Sequence, residues 1–510
     1  MFARTHGGTT LGVDGLIIDV EVDSATGLPG FELVGLANTA VRESKERVRT
    51  AIRNSGIQLR QEKVTVNLAP ANIRKDSPGL DLPIAIGLLA SYGIIPAERI
   101  ERTLFAAELS LEGDCRAVQG ILPIAIKAQE EGLSAIFVAR SNANEALLVE
   151  GITVYAIASL REAVDFLTGQ TSLSPAVPER AQAAQNKTID DFADVQGQFQ
   201  AKRALEIAAA GGHNVLMVGV PGSGKTMLAR RMSSILPALT REEALEITKI
   251  YSIAGLLPQD GGLVQKRPFR SPHHTASTTA MIGGGSIPRP GEVTLAHHGV
   301  LFLDELPEFS KTTLEVLRQP LEDRKVCITR IHSSFTFPSS MILICAMNPC
   351  PCGYYGDESG HHSCECSPNE VRRYTRKISG PLLDRIDIHI RVPHVAYKDL
   401  ASTKKAEPSA VIAKRVEAAR ALQYARLSAF HVHCNAQMSH AILQKVCPLG
   451  KEAQSMLEMA FHKLHLSARS YDRIIKVART IADLAAAKEI TPQHIAEAIQ
   501  LRNDVGLTGN

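Results

Sequence analysis

The sequence predicts a multidomain α/β protein: an α+β unit first, a parallel sheet covered by helices in the middle, and a helical unit last. Three observations predict it. At 510 residues the chain exceeds what one hydrophobic core supports. Between about 192 and 395, continuous apolar strands alternate with helical patterns, as in parallel strands buried on both faces. Beyond Ala396 the pattern is helical throughout.

The first unit, 1–168, alternates β-rich runs at Leu16–Val22, Lys63–Leu68 and Ala135–Val138 with helical patterns at Thr39–Ser55, Leu82–Ser91 and Ile121–Glu131. Residues 169–190 are expected to be a linker, because TSLSPAVPERAQAAQNKTID (171–190) is rich in Pro, Ala, Ser and Gln and poor in large apolar residues. The core, 191–395, carries strands at Asn214–Val218, Gly299–Leu303 and Met341–Cys345. The last unit, 396–510, is expected to hold helices at Ser409–Arg426, Lys451–Leu464, Ser470–Ala487 and Pro492–Arg502, the final one N-capped by Thr491 with Pro492 at its first position.

Composition narrows the class. Tryptophan is absent and aromatics make up 5%, which argues against broad base-stacking platforms. A net charge of +3 is compatible with an anionic polymer as partner without requiring one. The start of the chain has no apolar run of signal-peptide length, and no stretch reaches the roughly 18–20 apolar residues of a membrane span. Nine cysteines without a signal segment point to reduced thiols or a metal. A cytoplasmic protein that does not engage membranes is expected.

GVPGSGKT (219–226) fits the P-loop pattern G-x-x-x-x-G-K-[ST], follows an apolar strand and precedes a helical run. That context matters, because backbone N–H groups must wrap the phosphates at a helix N-terminus. Gly219, Val220, Pro221, Gly222, Ser223, Gly224, Lys225, Thr226 and Met227 are therefore expected nucleotide contacts. Lys225 would reach the β- and γ-phosphates of ATP and Thr226 would ligate Mg²⁺. GVLFLDEL (299–306) delivers Asp304 and Glu305 at the end of a second apolar strand. Asp304 suits the Mg²⁺ shell and Glu305 the attacking water. A third strand ends at Asn348, whose neutral amide can bond the water or the γ-phosphate without repelling it.

The strings GGHNVLMVGVPGSGKTMLARR, RPFRSPHHTAS, PRPGEVTLAHHGVLFLDELPEF, NPCPCGYYGD and SGPLLDRIDIHI resemble the Mg-chelatase-like AAA+ ATPases of the YifB/ComM type, over almost the whole chain. The resemblance implies an AAA+ core, a helical lid, and an N-terminal domain of the Lon-protease-like, ribosomal S5 domain-2 fold. It implies that Arg385, in SGPLLDR, is an arginine finger serving the neighbouring subunit of a ring, expected to be a homo-hexamer. In LSARSYDRIIKVART (466–480), Arg469 matches the sensor-2 arginine that touches phosphate, with Arg473 as the alternative. DFADVQGQFQAKRALEIA (191–208) resembles the segment beside the adenine, making Val195 and Gln196 candidate contacts.

Cys350, Cys352, Cys364 and Cys366 form C-x-C…C-x-C, and four thiolates suit a structural tetrahedral Zn²⁺. One residue between paired cysteines departs from the usual two to four, His361 and His362 lie in the gap as substitutes, and four plain thiols is the alternative. KDSPGLDLPIAIGLLAS (75–91) resembles the serine-bearing string of Lon-type peptidases, but the serine's place falls near Gly79–Leu80. The lysine's place is taken by Leu122, Pro123 and Ile124, and Ser77 and Lys127 do not fit the spacing. A non-catalytic domain is expected, since a Ser–Lys dyad needs both partners within hydrogen-bond reach.

Two segments could enter a ring pore: 265–286, with Lys266, Arg267, Arg270, His273 and His274, and the hairpin-like KVCITRIHSSFTFP (325–338), with Arg330 and His332. Cationic tips suit phosphate tracking without sequence readout. By resemblance, the favoured function is an ATP-driven motor on DNA, a branch-migration helicase that helps integrate incoming single-stranded DNA during natural transformation, with recombinase or competence proteins as partners. A metal-insertion ATPase of the magnesium chelatase type is the alternative, and an ATP-dependent protease a distant third.

Overall fold

The computed structural model describes all residues except 37–38, 74, 76, 179–189, 259–261, 286–287, 331–332, 358–361, 396–405, 465 and 504–510. Half of the expected linker (179–189), His332 and His361 thus lie outside the described residues.

A seven-stranded mixed sheet forms the first unit. Its strands are β1 (Phe2–Leu11), β2 (Asp14–Ala25), β3 (Gly30–Val34), β4 (Lys63–Ala69), β5 (Thr103–Ala106), β6 (Ala135–Ala139) and β7 (Thr153–Ile157), in the spatial order β3-β4-β2-β1-β5-β6-β7. Helices α1 (Thr39–Asn54), α2 (Asp81–Ser91), α3 (Ile121–Glu130) and α4 (Leu160–Leu167) pack on it. The strand β1 was not expected. It pairs with β2 along its whole length, from Phe2↔Asp23 to Leu11↔Asp14. Gly7 and Gly8 sit where a side chain would strike Pro83 and Ile124, so they let α2 and α3 approach the strand closely.

The second sheet has five parallel strands: β8 (Val215–Gly219), β9 (Phe269–Arg270), β10 (Val300–Leu303), β13 (Ile342–Met347) and β14 (Ile388–Val392), ordered β9-β10-β13-β8-β14. The predicted hairpin is present between β10 and β13 as β11 (Lys325–Arg330) and β12 (Ser333–Pro338). Strands β10, β13 and β8 are buried almost end to end, and their C-terminal ends carry the acidic pair, Asn348 and the P-loop. Crevices at such ends are where open α/β sheets bind ligands.

Helices α5 (Phe199–Gly211) and α6 (Lys225–Arg231) flank this sheet, and α7 (Arg241–Ala254) packs against α3 of the first unit; the closing helices are α8 (Ser409–Leu427), α9 (Lys451–Lys463), α10 (Ala468–Leu484) and α11 (Pro492–Asn503). Ile412, Val416, Ile474, Val477 and Ala478 share one apolar core with Ala204, Leu205 and Ala208 of α5 and with Val215 and Ile388. A buried network adds to that core: Asp387 bonds Arg473 and accepts from Asn214 N at 3.3 Å, while the His213 ring bridges Asp387 (3.2 Å) and Thr480 (2.8 Å). Burial alone would raise the Asp387 pKa, but Arg473 and His213 hold it well below the carboxylate range. Thr491 does not cap α11 with its hydroxyl, which has no partner among the described residues; the His494 ring accepts from Thr491 N at 3.1 Å instead. Among the described residues, no helix is long and apolar enough to cross a membrane.

Candidate nucleotide-binding site

The P-loop folds between β8 and α6, with Gly222 and Gly224 at φ +76° and +89°, values that favour glycine and turn successive N–H groups inward. Lys225 is buried, and its Nζ donates to Gly219 O (2.7 Å), Val220 O (3.0 Å) and Asn348 Oδ1 (3.2 Å). Burial lowers its pKa to about 8, with Asp304 opposing. Thr226 Oγ1 donates to Asp304 Oδ2 at 2.7 Å, bringing a hydroxyl and a carboxylate together as a Mg²⁺ shell requires. Among the described residues, the buried Ser223 Oγ has no hydrogen-bond partner, an orphan that a phosphate oxygen would satisfy. These residues fit a Mg²⁺-nucleotide.

Glu305 adopts φ +53°, a left-handed conformation uncommon outside glycine and found at strained functional sites. Its Oε2 lies 3.1 Å from Nδ1 of His274, and the His273 ring packs against His274 at 4.1 Å between centroids. His274, expected as a DNA contact, is therefore paired with the Glu305 carboxylate. Within the same segment, Arg270 forms a two-pronged pair with Glu292 at 2.7 Å, and Arg267 bonds Pro237 O (2.6 Å), His298 O (2.8 Å) and Glu243 (2.8 Å). Arg267 and Arg270, expected as DNA contacts on a flexible tip, are thus both half-buried and paired with carboxylates of the fold. Lys266 and His273 are exposed. Arg330 ends β11 opposite Ser333.

The adenine-side segment is corrected in part. Val195 is fully buried in the core, and Gln196 is half-buried. Gln198, two residues on, touches the loop: its Nε2 donates to Ser223 O (3.2 Å) and Pro393 O (2.7 Å), tying P-loop to β14. Its left-handed φ of +53° was not readable from sequence spacing.

Arg385 lies at the opposite, N-terminal end of the strands, just before β14. Its carbonyl accepts from Asn214 Nδ2 at 3.0 Å, at the start of β8, whereas the P-loop follows the end of that strand. Five residues of strand separate them by roughly 16 Å. The guanidinium is mostly buried beside a cleft of ≈ 510 Å³, donating to Pro381 O (2.8 Å) and paired with Glu322. Arg469 is exposed on the first turn of α10, whose Ser470 and Arg473 bond Arg502 and Asp387. It thus sits on Arg385's side of the sheet, away from the chain's own P-loop. Arg473 is occupied by Asp387, which leaves Arg469 the freer of the two candidates.

Directly after Asn348, the four cysteine sulfurs converge within 4.8 Å of one another. Cys350 Sγ lies 3.3 Å from Cys352 Sγ and 3.8 Å from Cys364 Sγ, and Cys352 Sγ 3.6 Å from Cys364 Sγ. A tetrahedral Zn–S bond of about 2.3 Å corresponds to sulfur separations near 3.8 Å. Backbone N–H groups of Gly353 (3.2 Å) and Tyr355 (3.3 Å) donate to Cys350 Sγ. His362 stacks on Tyr354 at 4.6 Å. The chemistry and spacing of the donors fit a zinc ion. Gly353, at φ +92°, lies so close to the P-loop that a Cβ would come within 2.7 Å of Pro221.

The peptidase dyad is not assembled: Ser77 caps a short turn through Gly79 N (3.2 Å), and Lys127 is paired with Glu130 (3.5 Å) and Glu131 (3.4 Å).

Three family profiles match the chain: one described as magnesium chelatase, subunit ChlI, over 191–400; one as subunit ChlI of Mg-chelatase over 20–142; and one as the ChlI C-terminal part over 406–502. The chain is similar to competence protein ComM of Haemophilus influenzae, 42% identical over 509 residues covering 99% of this chain and 98% of that protein. It is similar to the uncharacterized protein YifB of Salmonella typhimurium, 43% identical over 98% of this chain and 97% of that one. A shorter similarity, 30% over 156 residues, covers 28% of this chain and 27% of Lon protease 2 of Bacillus subtilis.

Proposed function

We infer the function from one premise: the chain belongs to the YifB/ComM family of Mg-chelatase-like AAA+ ATPases. We propose that it is a ring-forming, ATP-driven motor on DNA, a branch-migration helicase that promotes integration of single-stranded DNA during transformation. The observation that carries the ring is the separation of Arg385 from its own P-loop by the length of β8. A γ-phosphate stabilised by Arg385 belongs to a neighbouring subunit, and Arg469, on the same side, follows the same logic. A closed ring, here taken as a homo-hexamer, satisfies every such head-to-tail interface.

Within one subunit, Lys225 leaves its carbonyl partners to meet the β- and γ-phosphates, and Ser223 supplies a further donor. Thr226 and Asp304 would hold Mg²⁺, which would supply positive charge against that developing on the phosphates. Asn348 and Glu305 position the attacking water, with Glu305 accepting its proton once released by His274. Assembly moves Arg385 off Glu322. The four cysteines hold a structural zinc that props the P-loop through Gly353 and Pro221.

The DNA assignment is supported by full-length similarity to a protein named for competence. The Mg-chelatase description of the matching profiles favours metal insertion as the second reading. ATP turnover measured with single-stranded DNA, forked DNA or a porphyrin-loaded partner separates the two. Stimulation by DNA alone is expected; stimulation by the porphyrin partner alone would reverse the order.

A further inference from the structure

Of the residues named from sequence as DNA contacts, Arg267, Arg270 and His274 are paired with Glu243, Glu292 and Glu305, while three arginines of a different surface have no carboxylate partner among the described residues. Residues Pro368–Thr375 form a helix beginning directly after Cys366. Asn369, Arg372, Arg373, Arg376 and Lys377 line a surface groove of ≈ 350 Å³ beside it. Their spacing of i, i+3, i+4, i+7 and i+8 places them on one helical face, and the helical turn continues through Arg376 N, which donates to Arg372 O at 3.0 Å. The other face is anchored by Tyr374 and Ile378 in the core.

The acidic residues nearby do not neutralise this face. Glu370 turns back to its own N-cap, accepting from Ser367 N (2.8 Å) and Ser367 Oγ (2.9 Å). Glu308 is taken by Lys377 at 3.2 Å. Among the described residues, no carboxylate lies within salt-bridge distance of Arg372, Arg373 or Arg376, and all three are exposed. Three guanidinium groups held this close repel one another, a cost that an anion relieves. From Asn369 to Lys377 the groove lining rises about 12 Å at 1.5 Å per residue, with the three arginines in its middle about 6 Å, so the groove accommodates about three nucleotides at 3.4 Å each.

We propose that the Arg372–Arg373–Arg376 stripe is a site for the phosphodiester backbone of single-stranded nucleic acid. This rests on the DNA-motor reading and names the surface that does the gripping. The contact is to phosphates, because each arginine offers a planar fork matched to phosphate oxygens. The groove has no exposed aromatic ring among its lining residues to stack bases, so it tracks the strand without reading sequence.

The test is anisotropy of a labelled oligothymidylate on the full-length protein with a non-hydrolysable ATP analogue, from 50 to 200 mM KCl. Three proteins are compared: wild type, R372A/R373A/R376A and R372K/R373K/R376K. Each arginine–phosphate contact contributes about 0.7 to the log–log salt slope, so losing three lowers it by about 2 and makes the wild type's loss over this range about 20-fold larger than the alanine variant's. The lysine variant should keep the wild-type slope, and basal ATP hydrolysis should be unchanged in both. Wild-type binding with an identical slope and affinity in the alanine variant would overturn this site while leaving the DNA reading intact. Unchanged DNA binding with lost basal hydrolysis would reassign the arginines to a neighbouring subunit's nucleotide, and also overturns it. Failure of the wild type to bind at 50 mM would instead refute the DNA reading itself.

Discussion

Affinity for ATP should fall as pH rises above about 8, because the cation that meets the phosphates loses its proton in the empty site. Lys225 is enclosed by Gly219 O, Val220 O and Asn348, and burial lowers its pKa to about 8, with Asp304 opposing. The ordinary lysine value is about 10.4. Phosphates beside Nζ favour the ammonium and return the pKa toward or above that value. Binding above pH 8 must therefore take up a proton, and Kd scales as roughly 1 + 10^(pH − 8), about 1.1 at pH 7 and about 11 at pH 9. The sign for folding is opposite. A depressed lysine pKa means the unfolded chain binds more protons between about 8 and 10.4, so the empty protein gains stability across the window in which it loses nucleotide. The terminal phosphate, with a pKa near 6, stays ionised throughout and does not confound the titration. Calorimetry with Mg²⁺ and a non-hydrolysable analogue, from pH 7 to 9.5 in two buffers of different ionisation enthalpy, reads both affinity and proton uptake. Lys225→Arg, which does not titrate, should bind with a flat profile. A flat wild-type profile, or binding at pH 9 without proton uptake, would refute the assignment of Lys225 as the buried phosphate cation.

Glu305→Gln should keep ATP binding while losing turnover, because the amide still fits beside His274 but takes no proton from water; phosphate release at the wild-type rate would exclude Glu305. Gly353→Ala forces a side chain to φ +92° and against Pro221, a cost of about 1–2 kcal/mol from the backbone alone. ATP affinity should drop about 5- to 30-fold if that cost is borne by the P-loop, with the metal content unchanged; equal Kd values would disconnect the cysteine loop from the nucleotide. Metal analysis of protein purified without added zinc should give close to one zinc per chain, and a value near zero in reduced, folded protein would leave four plain thiols.

The parts of the fold legible in sequence were those in which one local pattern decides. The apolar strands before the P-loop, Asp304 and Asn348 were placed within one or two residues, because strands buried on both faces admit few other residue types. The motifs put Thr226 and Asp304 in one site, and the two side chains lie within a 2.7 Å hydrogen bond. What failed depended on neighbours distant in sequence. Gly7 and Gly8 speak against a strand until α2 and α3 are known to press on them. Arg267 and Arg270 look like free cations until Glu243 and Glu292 arrive from elsewhere in the fold. Gln198 reaches the P-loop only through a left-handed backbone. A signal for the arginine stripe was present all along in the i, i+3/i+4, i+7 spacing after Cys366, but only the structure shows Glu370 turned away from it.

The claim that two subunits build each ATP site and drive DNA from it is tested most directly by mixing two inactive proteins. Lys225→Ala lacks the phosphate cation, and Arg385→Ala lacks the arginine offered across the interface. Each alone should show no DNA-stimulated ATP turnover. In mixed rings, some interfaces pair an intact P-loop with an intact Arg385, so DNA-stimulated hydrolysis should reappear and peak near equal proportions. A mixture that co-assembles with ATP yet stays inactive at every ratio, beside an active wild-type ring, would contradict the account.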